Sequence, residues 1–202
     1  MIKILLATCL GLLSLTLSAA DGCGQGSALT SVCGLTAPED IELAGDSQSL
    51  LVGEMILGGR LLALEIDSVT DEPRELYPAL SVEGAADWGS DDCNVYPNQM
   101  TFHGIDLSVR ENGQWQLLVV NHGLRESVEF FQVVTDELGT PESLVWRGCV
   151  LAPDDESLND VAALPGGGFL STTPFVGSEL WSIAKALVGF NTGYVRQWEQ
   201  NS

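Results

Sequence analysis

Only two histidines, His103 and His122, occur in the 202-residue chain. Each can exchange a proton near neutral pH, because a free imidazole titrates at about 6.5. Two imidazoles cannot build a three-histidine zinc site. There is also neither an HExxH pair nor a GxSxG elbow, which removes zincins and α/β-hydrolases. Oxygen-bearing pairs stand at Glu39-Asp40 and Asn159-Asp160. Denser acidic groups occur at Asp67, Asp71 and Glu72 and at Asp87, Asp91 and Asp92. Neither has the glycine and terminal glutamate of an EF-hand loop, so both read as solvated loop charge. The Gly166-Gly167-Gly168 run lacks the spacing and following lysine of a phosphate loop and reads as a hairpin turn. From their residues alone, Glu39-Asp40 also reads as an exposed acidic turn and Asn159-Asp160 as the end of an acidic loop. The histidines read equally as structural groups at strand ends.

The surroundings of these residues are strongly acidic. Asp and Glu number 28 against 8 Lys and Arg, a formal charge of -20. A phosphate backbone and anionic lipid headgroups would both be repelled, which excludes nucleic acid as a partner. Cations would be attracted, a weak pointer to calcium that fits a saline or extracellular habitat equally well.

The start of the chain has the layout of a secretory signal peptide over residues 1–20. Lys3 precedes the apolar run Ile4 to Leu17, and the small residues Ser18-Ala19-Ala20 precede Asp21. The expected location is therefore secreted or periplasmic, with no membrane span after cleavage. An uncleaved anchor is the alternative, although the run is short for a span of about 20 residues. Lipoprotein attachment at Cys23 is another, with Asp21 unsuited to a lipobox. Cleavage leaves Cys23, Cys33, Cys93 and Cys149, an even number that suggests disulfides, and the sequence does not choose among the pairings. The absence of any CxxC leaves a zinc knuckle unsupported.

The elements that would position the candidate groups are mostly strands. Residues 21–36 form a Gly/Ser-rich leader, and residues 37–202 form the domain. Short apolar runs are expected as strands at Ser49–Met55, Arg60–Ile66, Trp115–Asn121, Ser127–Val134, Ser143–Val150, Asp160–Leu164 and Phe169–Thr172. Gly58-Gly59, Asn112-Gly113, Gly139-Thr140-Pro141 and Pro165 to Gly168 separate them. The fold class is all-β. One helix is expected over Ser178–Val188, where apolar residues recur at helical spacing. Asp67–Ser90 and Ser90–Met100 read as long acidic loops.

Three segments together carry a family resemblance. They are Pro38-Glu39-Asp40-Ile41-Glu42-Leu43; His103-Gly104-Ile105 with the later Leu117 to His122 and Ser127 to Phe131; and Leu158-Asn159-Asp160-Val161-Ala162-Ala163. In order and spacing the chain resembles the N-terminal portion of the paraoxonase family. These are calcium-dependent lactonases and arylesterases related to the gluconolactonase-like six-bladed β-propellers. The resemblance implies two calcium ions in the propeller tunnel. Glu39 and Asn159 would face the catalytic ion, and Asp40, Asp160 and the backbone carbonyl of Ile105 the deeper structural one. Neighbouring residues on a strand point in opposite directions, so each pair can serve two ions, and hard oxygen donors suit calcium. It also implies that His103 and His122 activate water, one accepting the proton and the other orienting it. The bound calcium would polarise a lactone or aryl-ester carbonyl.

Length is the main departure from that pattern. A six-bladed propeller takes about 270 residues or more. The region after the signal peptide suffices for an incomplete propeller of three to four blades, and the later positions that complete the family's catalytic calcium site have no counterpart here. The chain is therefore expected to be a fragment or truncated form, and open propeller edges would favour oligomers. The alternative function is a non-catalytic, calcium-binding propeller module with an acidic partner-binding surface. A strictosidine synthase-like propeller is a further one, against which the HGI and VVNH segments argue.

Overall fold

Turn chemistry and alternation place most of the strands. A computed structural model describes residues 31–68 and 72–200; the expected signal peptide, Cys23, the leader up to residue 30 and Asp71 lie outside the described residues. All the elements belong to the compact unit Gly34–Ser202. An antiparallel meander of β1 (Pro38–Leu43), β2 (Ser49–Glu54), β3 (Leu61–Glu65) and β4 (Arg74–Tyr77) makes the first sheet. The second holds β6 (Phe102–Val109), β7 (Trp115–Asn121), β8 (Ser127–Thr135) and β9 (Pro141–Leu151), again a meander. Its outer edge is completed by β5 (Ser81–Glu83), which runs parallel to β9. β11 (Val161–Ala163), β12 (Phe169–Thr173) and β14 (Tyr194–Trp198) form the third sheet. Two short strands, β10 (Glu156–Ser157) and β13 (Phe175–Val176), pair with each other. The helix α1 spans Glu179–Leu187.

The expected all-β class is what the structure shows, and the expected helix is present. The stretch Asp67–Ser90 is a correction: it contains β4 and β5 as well as loop. β5 is three residues long and is a strand only because β9 offers it a partner. The Asn112-Gly113 turn closes the β6–β7 hairpin, with Gly113 at φ +83, a left-handed conformation that glycine adopts without strain. The Gly166-Gly167 pair, at φ +87 and +91, turns β11 into β12.

Strand β7 explains how the sheets stack. Leu117 and Val119 enter one core with Leu51, Leu61, Tyr77 and Phe102 of the first and second sheets. Leu118 and Val120 enter another with Val161, Phe169 and Trp198 of the third. The strand is covered on both faces, which is why its sequence is a continuous apolar run rather than an alternating one. Stacking in this order brings β1 and β11 to either side of β6, so the opening strands of three sheets are neighbours.

A disulfide joins Cys93 to Cys149 and pins the loop after β5 to β9. Cys33 is disulfide-bonded as well. Bonds of this kind persist in oxidising compartments, which accords with an extracellular setting. Among the described residues no helix is long and apolar enough to cross a membrane.

Candidate functional site

The side-by-side opening strands bring together most of the residues singled out from the sequence. Glu39 and Asp40 lie on β1, and His103 and Ile105 on β6. His122 directly follows β7, and Asn159 and Asp160 directly precede β11. The β6–β7 register runs Phe102↔Asn121 and then Ile105↔Val119, so one irregularity falls on His103-Gly104. A bulge of this kind re-aims the side chain it carries. Buried Asn121 secures the other partner: its Oδ1 accepts from the N–H groups of Thr101 (3.0 Å) and Gly123 (2.8 Å), holding the turn around His122.

The two imidazoles meet directly. His103 Nδ1 lies 2.6 Å from His122 Nε2, with ring centroids 4.8 Å apart. His122 Nδ1 lies 2.8 Å from Glu126 Oε2, and His103 Nε2 lies 3.4 Å from Glu39 Oε1. The result is a row of four groups, Glu39–His103–His122–Glu126, each about a fifth to a third exposed (side-chain values 32%, 18%, 21% and 27%). Glu126 Oε1 in turn accepts the backbone N–H of Leu158 at 2.7 Å.

Carboxylates crowd the same end of the sheets. Asp40 Oδ2 accepts the N–H of Ile105 at 2.8 Å, tying β1 to β6. Asp160 Oδ1 accepts the N–H of Val161, and Asp106 Oδ2 accepts that of Ala163. Burial raises the pKa of Glu39, and the charges of Asp40 and Asp160 raise it further against the opposing pull of the histidines. Glu42 is pushed up to about 7, by burial first and then by Asp106, Asp40 and Asp160. Asp106 is raised by burial and by Asp160 and Asp40. Five carboxyl groups therefore sense one another in one neighbourhood. Among the described residues, no three His, Cys, Asp or Glu side chains converge into a closed metal-holding group.

Asn159 contributes backbone groups: its carbonyl accepts from Gly104 N–H at 3.1 Å and its N–H donates to Thr172 at 2.8 Å. At Ile105 the backbone reaches the cluster through its N–H, which donates to Asp40 Oδ2. The close approach at Gly104 is tight. A Cβ there would lie 2.5 Å from Asp160 Oδ1, 2.6 Å from Asp160 Cα and 2.8 Å from the Asn159 carbonyl oxygen. Two of those atoms are backbone, so nothing cheap can move. Gly104→Ala is expected to cost about 1–3 kcal/mol through overpacking. Thermal unfolding checks this, and an unchanged Tm would contradict the contact.

Sequence reading missed Glu126, Glu42 and Asp106. Glu126 carries no motif, only its position four residues after His122. Asp106 follows the HGI segment, and Glu42 shares with Asp40 the half-buried alternate positions of β1, whose neighbours 39, 41 and 43 are exposed. Two members of the Asp87–Asp92 group have contacts of their own away from the site. Asp87 pairs with Arg147 at 2.8 Å, and Asp92 accepts from the Ser90 hydroxyl.

Searches against protein-family models and curated proteins match nothing to this chain.

Proposed function

We propose that the chain is an exported, calcium-dependent hydrolase of lactones or aryl esters, built on neighbouring blades of a paraoxonase-type β-propeller. One observation carries the reading: a histidine pair flanked by Glu39 and Glu126 stands at the same end of adjoining sheets as four further crowded carboxyl groups, Asp40, Glu42, Asp106 and Asp160. Sheets stacked face to face with their opening strands side by side support the propeller reading. Residues of all three segments meet at this end: Glu39 and Asp40, His103 and His122, and Asn159 and Asp160.

The donor chemistry fits calcium. The neighbourhood offers hard oxygen anions without a thiolate, and their shared repulsion is what a divalent cation would relieve. Glu39 and Asn159 would hold the ion next to the histidines, and Asp40, Asp160 and the Ile105 carbonyl the deeper one. When bound, calcium supplies a Lewis acid for the substrate carbonyl and the oxyanion that develops from it. The remaining chemistry belongs to the side chains. His103 has Nδ1 engaged by His122, so Nε2 is its atom available to take a proton from water. His122 fixes the orientation of that ring, and Glu39 lies against the reactive edge.

The test is hydrolysis of a five-membered lactone and of phenyl acetate, with calcium and after chelation. Turnover is expected with calcium, lost with chelator and restored on adding calcium back. Chelator-insensitive turnover would overturn the mechanism. A calcium-raised Tm with no turnover on either substrate would replace it with the non-catalytic calcium-binding module.

A further inference from the structure

The hydrogen-bonded row through the two histidines has a direction, and the Glu126 end decides it. A carboxylate can only accept hydrogen bonds. Glu126 takes one from Leu158 N–H at Oε1 (2.7 Å) and one from His122 Nδ1 at Oε2 (2.8 Å). His122 must therefore carry its proton on Nδ1. A neutral ring with that proton has a bare Nε2, which sits 2.6 Å from His103 Nδ1 and accepts from it. His103 then carries its own proton on Nδ1, and its Nε2 keeps a lone pair.

Glu39, at the opposite end, would favour the reverse assignment, with a proton on His103 Nε2. Distance decides between the two carboxylates. The contact to Glu126 is 2.8 Å, the usual length of a charge-assisted bond, whereas that to Glu39 is 3.4 Å. The closer partner sets the tautomers.

We infer that Glu126 is a positioning residue that fixes both histidines as Nδ1–H tautomers and thereby makes His103 Nε2 the proton acceptor. This inference rests on the hydrolase reading for its consequence in catalysis, but not for the tautomers themselves. The same carboxylate holds the backbone immediately before Asn159-Asp160, so a single side chain aligns the histidine pair with the carboxylate cluster.

Glu126→Gln should reverse the row. A glutamine has one acceptor oxygen where Glu126 uses two. With that oxygen on Leu158, its NH2 faces His122 Nδ1, which must then accept, and both rings shift to Nε2–H. The experiment is two-bond 1H–15N correlation on the full chain labelled in histidine, on the alkaline side of imidazole titration. Both native rings are expected as Nδ1–H, both rings of E126Q as Nε2–H, and Glu126→Asp is expected to keep the native pattern. Nε2–H on either native ring overturns the inference, as does an unchanged pattern in E126Q. The native spectrum alone decides if E126Q does not fold. On a lactone that the native chain turns over, kcat is expected to fall about 100-fold in E126Q, the scale of a lost general base. KM should stay within about twofold, because Glu126 acts through the base rather than on bound substrate. A change confined to KM would count against it. A native chain without turnover defeats the hydrolase reading and leaves the tautomer result to stand or fall separately.

Discussion

Glu129→Leu is expected to lower the unfolding free energy by about 3–5 kcal/mol, read as a fall in the urea midpoint with little change in slope. Glu129 sits on β8 with its side chain fully buried between β7 and β9. Its two oxygens receive four hydrogen bonds. Arg125 gives Nε and Nη2 at 2.8 Å each, Ser127 gives its hydroxyl at 2.7 Å, and Trp146 gives Nε1 at 2.8 Å. Removing the carboxylate leaves a largely covered guanidinium, a buried hydroxyl and a buried indole N–H without their acceptor. The double variant Arg125→Met/Glu129→Leu discriminates the cause. If the penalty comes from the uncompensated charge, the double variant should lose less stability than Glu129→Leu alone, because replacing both partners by apolar groups removes the orphaned ion. A double variant at least as unstable as the single one would show instead that shape, not charge, dominates. The network also bears on the site. Arg125 is anchored to Glu129 and the adjacent Glu126 to His122, so one turn holds both contacts.

Removing the Cys93–Cys149 bond should be of similar size. The cysteines are 56 residues apart, and closing a loop of that length stabilises by about 4 kcal/mol through the entropy of the unfolded chain. Both are buried, so alanine replacements avoid placing a new hydroxyl in the core. The C93A/C149A variant is expected to melt roughly 10 °C lower, and reduction of the native protein, which also opens the Cys33 bond, should lower Tm at least as far. The bonds beside the disulfide localise the effect. Trp88 N–H donates to the Arg147 carbonyl at 2.9 Å and Ser90 N–H to the Cys149 carbonyl at 2.9 Å, and these should lose protection from hydrogen exchange first. An oxidised and a reduced protein with the same Tm would contradict this account.

Particular elements show which information was local. The Asn112-Gly113 and Pro165 to Gly168 turns were readable because a tight reversal needs residues that tolerate left-handed backbone, and those residues announce themselves within four positions. The strands β7, β8 and β12 were readable as apolar runs between such turns. The strands β1 and β6 were not, because PEDIEL and FHGIDLSV carry polar groups toward the site and so lack the run that marks a covered strand. The acidic composition around residues 67–90 concealed β4 and β5 for a related reason. Neither has a strong local preference, and each becomes a strand by pairing with β3 or β9.

The sequence by itself determined the all-β class, the turn positions, the helix after β13, and which histidines and oxygen donors were worth attention. Only the tertiary structure decided that His103 bonds to His122 and that Glu126 completes the row. It alone showed that Glu42 and Asp106 share the neighbourhood of Asp40 and Asp160. Turn and strand preferences act over a few residues, whereas these contacts are made where β1, β6 and β11 lie side by side. That arrangement follows from burying both faces of β7, a packing constraint spread over three sheets and expressed in no single segment of the chain.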